Sequence, residues 1–199
     1  FGHSSSNPTG FSAGNLIRQG GSGAYNPAVG TFAININSTS SIWYWEFLST
    51  TNIASSGSPA EGTIGWVGED SLYTYAISNP TNNIKNTGTT RYLSDYFSSS
   101  GANVVMGVLL DCSTSNKNIK IYNNDSLAYT KENLGGGPLY FPMVSPYGGS
   151  AEFVANFGGT QIQEFGGTNS NNDPNGYGNF RFSTKSGYAL CSKNLAELG

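Results

Sequence analysis

Few side chains in this sequence could carry chemistry. The single histidine, His3, sits in a terminal stretch of Gly, Ser and Asn, so a Ser-His-Asp relay or a His-ligated zinc has almost no material. Paired carboxylates remain, the apparatus of glycoside cleavage. Acids are scattered from Glu46 and Glu61 through Asp111 to Glu152 and Glu164, but no pair falls at strand spacing with a reason to be perturbed. Asp111 ends an apolar run and reads best as an acceptor for backbone N–H groups of the loop that follows. The stretch from Asn169 to Gly176 is dense in oxygen donors yet holds one carboxylate, Asp173, where tight calcium loops carry several; it reads as a solvated turn. Gly135 to Gly137 precede a proline and a strand rather than a helix, with no lysine, and read as a turn rather than a phosphate cradle. No catalytic residue, metal or cofactor is expected.

Aromatic side chains are the remaining contact chemistry. Trp43, Trp45, Trp66 and Phe157 fall in strand patterns and are expected in the core, whereas Tyr147 and Tyr177 lie in Gly-rich stretches and are candidates for stacking on a partner. Tyr92 and Tyr96, in the polar stretch 81–103, either cap one end of the core with Leu93 and Phe97 or join Tyr147 and Tyr177 as ligand contacts. Cys112 and Cys191 read as two unrelated small hydrophobes, with a disulfide as the alternative.

The elements that must hold these residues are strands. Val104 to Asp111 is a continuous apolar run, too short for an ordinary helix and rich in β-branched residues, as a strand buried on both faces would be. A polar loop follows, then Ile119 and Ile121 alternate with Lys120 and Tyr122, so the pair forms a hairpin of a core strand and a half-exposed one. Strands are also expected over 32–37, over 42–48 as a central strand in which Glu46 must face an edge or find a donor, and over 63–68, 73–77, 127–130 and 153–157. The strand over 139–145 contains Pro142, which predicts an edge or a bulge. Helical periodicity is absent before Lys193. Many short strands separated by turns mean a sandwich or a barrel.

Length and composition agree. At 199 residues with 37% hydrophobic side chains and 27 glycines, one turn-rich domain with a sizeable core is expected. It divides into a loop-rich N-terminal lead-in (1–31), a sandwich core (32–165) and a Gly/Asn-rich C-terminal segment packing on the same domain (166–199), with Leu16-Ile17 the obvious strand seed of the first. Charged residues make up only 11%, against roughly 25% in an average domain, so hydroxyls and amides must cover the surface. A net charge of -3 with no Lys/Arg cluster argues against nucleic acid, and no apolar run is long enough to insert in a bilayer. The chain begins at Phe1 without Met, as a processed product or a segment of something longer would.

Several separated pieces resemble one family. Trp43-Tyr44-Trp45-Glu46-Phe47, Ile64-Gly65-Trp66, Val105 to Asp111 followed by Ile119 to Asn124, Leu139 to Ser145, and Asn156-Phe157-Gly158 are similar, in order, to the motifs of SPRY domains. The departures are Asn124, where the family often has Gly after Asn, and unusually polar loops. The resemblance implies an all-β fold, a bent antiparallel two-sheet sandwich of the SPRY/concanavalin jelly-roll kind, with a partner surface on loops at one end. Those loops would be 49–61, 81–100 and 145–150. The ending from Gly187 to Leu195 resembles segments that follow SPRY domains in phage and environmental viral proteins. Together these lead us to expect a non-enzymatic binding or structural module on a virion, in a tail, a fibre or a capsid decoration. Its partner would be a host-surface glycan or another virion protein; homo-oligomerisation is left open, since no heptad or repeat would drive it. The rival readings are a polysaccharide-cleaving sandwich and a cellular SPRY module that binds a short peptide.

Overall fold

Eight apolar side chains, from Val104 to Leu110 and at Ile119 and Ile121, are all buried, and they close the hairpin that the alternation predicts. The computed structural model describes residues 11–12, 17–19, 28–49, 61–68, 91–92, 104–134, 138–147, 152–159 and 170–198. In chain order the strands are β1 (Phe11–Ser12), β2 (Ile17–Gln19), β3 (Ala28–Val29), β4 (Ile34–Asn35), β5 (Ile42–Ser49), β6 (Glu61–Gly68), β7 (Arg91–Tyr92), β8 (Val104–Asp111), β9 (Asn118–Asn123), β10 (Ser126–Glu132), β11 (Leu139–Tyr147), β12 (Glu152–Asn156) and β13 (Tyr188–Ala189). One short helix, α1 (Ser192–Leu198), follows. Among the described residues these strands belong to one sheet of eight and one of five, which is the all-β, two-sheet class expected.

The chain divides into two compact units. The first comprises residues 1–33, 49–102 and 135–154, and the second 34–48, 103–134 and 155–199. In the first, β11 lies between β3 and β6, and β7 continues beyond β6. Pro142 therefore sits in an inner strand without a bulge, contrary to the edge position its missing N–H suggests: the β6–β11 register runs unbroken from Tyr140↔Gly68 to Tyr147↔Glu61. The reason is local. Pro142 accepts a bond from the Gly30 N–H at 2.8 Å, just where the short β3 ladder stops, so the absent donor falls at the end of a ladder instead of within one. The N-terminal lead-in carries more than the one seed at Ile17, since β1 precedes and β3 follows β2 in the chain; β2 pairs with β1 and β12, and β3 with β11. The strand expected over 73–77 lies outside the described residues.

In the second unit β8, β9 and β10 form a meander, with Val108 opposite Ile121 and Leu110 opposite Ile119. The expected strand over 32–37 shrinks to β4; Ile34 and Ile36 are buried as the alternation requires, but Phe32 is 44% exposed. In β5 the side chains from Trp43 to Leu48 are buried without exception, on both faces, confirming a central strand. The β9–β10 turn is a two-residue loop in which Asn124 (φ 42°) and Asp125 (φ 72°) are both left-handed, the primed geometry that suits a twisted hairpin. Asn124 replaces the commoner glycine for a reason: its Oδ1 accepts the Val105 N–H at 3.0 Å, while its own N–H donates to the Val105 carbonyl at 2.9 Å. Asp111 accepts both the N–H (2.9 Å) and the hydroxyl (2.6 Å) of Ser113, the strand-end role read from sequence. Cys112 and Cys191 are free thiols, and burial pushes the Cys112 thiol up to about 11, against the opposing pull of Lys117.

Gly107 sits where the inner strand passes the Tyr44 ring, and a β-carbon there would fall 2.5 Å from Tyr44 Oη and 3.1 Å from two ring carbons. Neither the strand backbone nor a ring fixed at both ends can retreat. We expect Gly107→Ala to lower unfolding free energy by about 1–3 kcal/mol, the usual cost of overpacking. Urea denaturation followed by tryptophan fluorescence measures this, and an unchanged midpoint would contradict the packing described.

Candidate functional site

The second unit is built around two buried carboxylates. Glu46 is fully buried, yet it accepts four hydrogen bonds. Its Oε1 receives the Tyr44 hydroxyl (3.1 Å) and the Phe182 N–H (3.0 Å). Its Oε2 receives the Asn156 amide (3.1 Å) and the Arg181 N–H (2.9 Å). Asn156 also donates to the Asn179 carbonyl at 3.1 Å, and its Oδ1 accepts the Gly158 N–H at 2.9 Å. Burial pushes the Glu46 pKa above its ordinary value, and the four donors pull against that shift without cancelling it. The Tyr44 phenol, buried beside this carboxylate, is driven far above the usual tyrosine range, so it serves as a donor. Its ring meets Phe180 edge-on at 5.1 Å, and Leu109 and Ala189 complete the cluster. β13 runs parallel to β5 alongside, with Ala189 opposite Tyr44.

Asp173 is the second node. Read from sequence as part of a solvated turn, it is 5% exposed and has an Asx-turn acceptor role. Its Oδ1 accepts the N–H groups of Asn175 (2.9 Å) and Tyr177 (2.8 Å). Its Oδ2 accepts the Ala189 N–H (2.8 Å) and the Asn194 amide (2.6 Å). With both oxygens committed to N–H donors, a cation at Asp173 would have to break this set. Asn194 also donates to the Ala189 carbonyl (2.8 Å) and accepts the Asn175 amide (2.9 Å), so α1 and the loop are tied together. The result is a rigid polar loop: Ser170, Asn172, Pro174, Asn175 and Gly176 are exposed around the half-buried Tyr177. The Lys193 ammonium lies 5.0 Å from the centre of the Tyr177 ring.

No protein-family model matches the sequence, and no curated protein matches it. Solved structures do match. A human SPRY domain is 11% identical, with a TM-score of 0.50 over 76% of this chain and 98% of that one. The chain has a SPRY-type fold. The SPRY domain of human HERC1 is 14% identical, with a TM-score of 0.46 over 70% and 87% of the two chains, and the Emp47p carbohydrate recognition domain is 12% identical, with a TM-score of 0.37 over 71% and 86%.

Within this SPRY-type fold the four sequence-singled tyrosines part company. Tyr177 is the one whose side chain is described, on the Asp173-pinned loop. Tyr147 ends β11 opposite Glu61 instead of standing in a loop, and Tyr92 pairs with Thr63 in β7, so their backbones meet β6 two residues apart. Tyr96 and most of the loops 49–61, 81–100 and 145–150 lie outside the described residues. Sequence reasoning missed Asn156 and Asn194 as clamps and Lys193 as the neighbour of Tyr177. The one available signal was Asp173-Pro174-Asn175-Gly176, whose order favours an Asx turn.

Glu46 gives a pH-dependent prediction. Its folded pKa lies above the unfolded value of about 4.3, so the stability this shift contributes is complete below about pH 4.3 and is lost as pH rises through the folded pKa. Glu46→Gln removes that slope. It also turns an NH2 group towards two donors, leaving at least one buried backbone N–H unsatisfied at about 1–3 kcal/mol. Urea midpoints from about pH 4 to about pH 8 should show the variant less stable throughout, with a gap that narrows as pH rises. A gap that widens with pH would mean the carboxylate is favoured in its charged form.

Proposed function

We propose that this chain is a non-enzymatic binding module of a virion protein, belonging to a tail, a fibre or a capsid decoration. Its ligand is a host-surface glycan or a neighbouring virion protein, met through polar loops. The observation that carries the reading is Tyr177, held half-exposed on a loop whose backbone is fixed by Asp173 and which exposes the amide residues Asn172 and Asn175. A ring beside amides on a pre-ordered loop binds with little loss of side-chain and loop freedom, which is the main cost of association at such surfaces. What supports the non-enzymatic part is the use of the described carboxylates Glu46, Asp111 and Asp173 as acceptors for N–H or O–H donors, a structural role rather than that of an acid or base. The virion assignment rests on the similarity of the Gly187–Leu195 ending to viral segments.

A glycan array and a cell-binding assay on the protein test this. Saturable binding is expected, weakened by Tyr177→Ala about fivefold or more, equivalent to about 1 kcal/mol. New reducing ends appearing steadily on incubation with host polysaccharide would instead establish an enzyme. Silence on glycans and cells together with capture of a virion protein would select the other named ligand.

A further inference from the structure

We infer that the ligand of the Tyr177 loop is an acidic glycan, one bearing sugar carboxylates, with Lys193 receiving a carboxylate beside the Tyr177 ring; this rests on the binding reading given above. Three described cations lie over aromatic rings, and they are not equivalent. Arg181 lies 5.9 Å from the Phe182 centroid and has further interactions of its own. Lys185 lies 5.6 Å over Tyr122, but its ammonium is neutralised by Asp125 at 2.6 Å. Lys193 is exposed, stands 5.0 Å over Tyr177, and among the described residues no ion pair joins it to a carboxylate, Glu197 one turn on included. It is thus an uncompensated cation held at an aromatic face.

Its position is fixed from beneath. The adjacent Asn194 is buried and bonded to Asp173, Ala189 and Asn175, so the residues that flank Lys193 and Tyr177 share one hydrogen-bonded clamp. Both oxygens of the nearby Asp173 are turned onto four N–H donors of this clamp, away from the exposed Lys193 side chain. A neutral sugar could stack on the ring and bond to the exposed amides, but it would have no use for the ammonium. A carboxylate sugar uses all three features: ring, amide and cation.

The test compares uronic- and sialic-acid oligosaccharides with their carboxyl-reduced counterparts, using the whole chain. The acidic forms should bind about fivefold or more tightly than the reduced ones, and less so as salt rises. Lys193→Gln should abolish that preference, and Lys193→Arg should restore it. Equal binding of acidic and reduced forms overturns this inference while leaving a glycan-binding module standing. Binding to neither form overturns this inference and leaves the virion-protein ligand named above, which capture of that protein tests separately.

Discussion

The second unit depends on a buried carboxylate used as an acceptor. Taking Glu46 out of water is costly, and only donors that follow it into the interior offset that cost. Four do so, and they come from β5 itself, from the end of β12, and from residues 181–182 of the C-terminal segment. The chain thereby gains a reason for one arrangement: an apolar residue at position 46 would pack, but it would leave the Arg181 and Phe182 amides without acceptors. Tyr44 and Gly107 follow from the same requirement, since the phenol must reach Glu46 and the facing strand must give it room.

Asp173 repeats the device in the C-terminal loop. With only 11% charged residues, this chain has little ionic material, and two of its twelve acids are sequestered as structural acceptors. What they hold is polar and rich in Asn and Gly, a composition that would not order itself by hydrophobic burial. The loop can therefore present amides and a tyrosine at the surface and still be rigid. In the proposed reading the ligand is met by what the clamps display, and the clamps hold that display in place.

Much of the scaffold was legible in the sequence. The β8–β9 hairpin shows itself through aliphatic density and period-two alternation, and β5 through apolar residues on both faces with one acid that needed donors. Pro142 misled because its missing N–H was counted against the whole strand, whereas it matters only on the side facing β3, where the ladder ends. Phe32 misled because alternation continues past the point where pairing stops. The clamps were less legible: Asn156 to Glu46 spans 110 positions and Arg181 to Glu46 spans 135, and no local pattern encodes a contact so distant. Tyr177 stood out in the sequence by its Gly-rich setting, while its neighbour Lys193 was hidden because the two lie across the Asn194 clamp.

Amide hydrogen exchange tests the central claim most directly. If the two carboxylates make the C-terminal segment part of the cooperative fold, the amides of Arg181, Phe182, Tyr177 and Ala189 should open with the same free energy as Val108 and Ile121 in the core hairpin. Exchange of those four amides at near-unprotected rates, with the hairpin still closed, would contradict it.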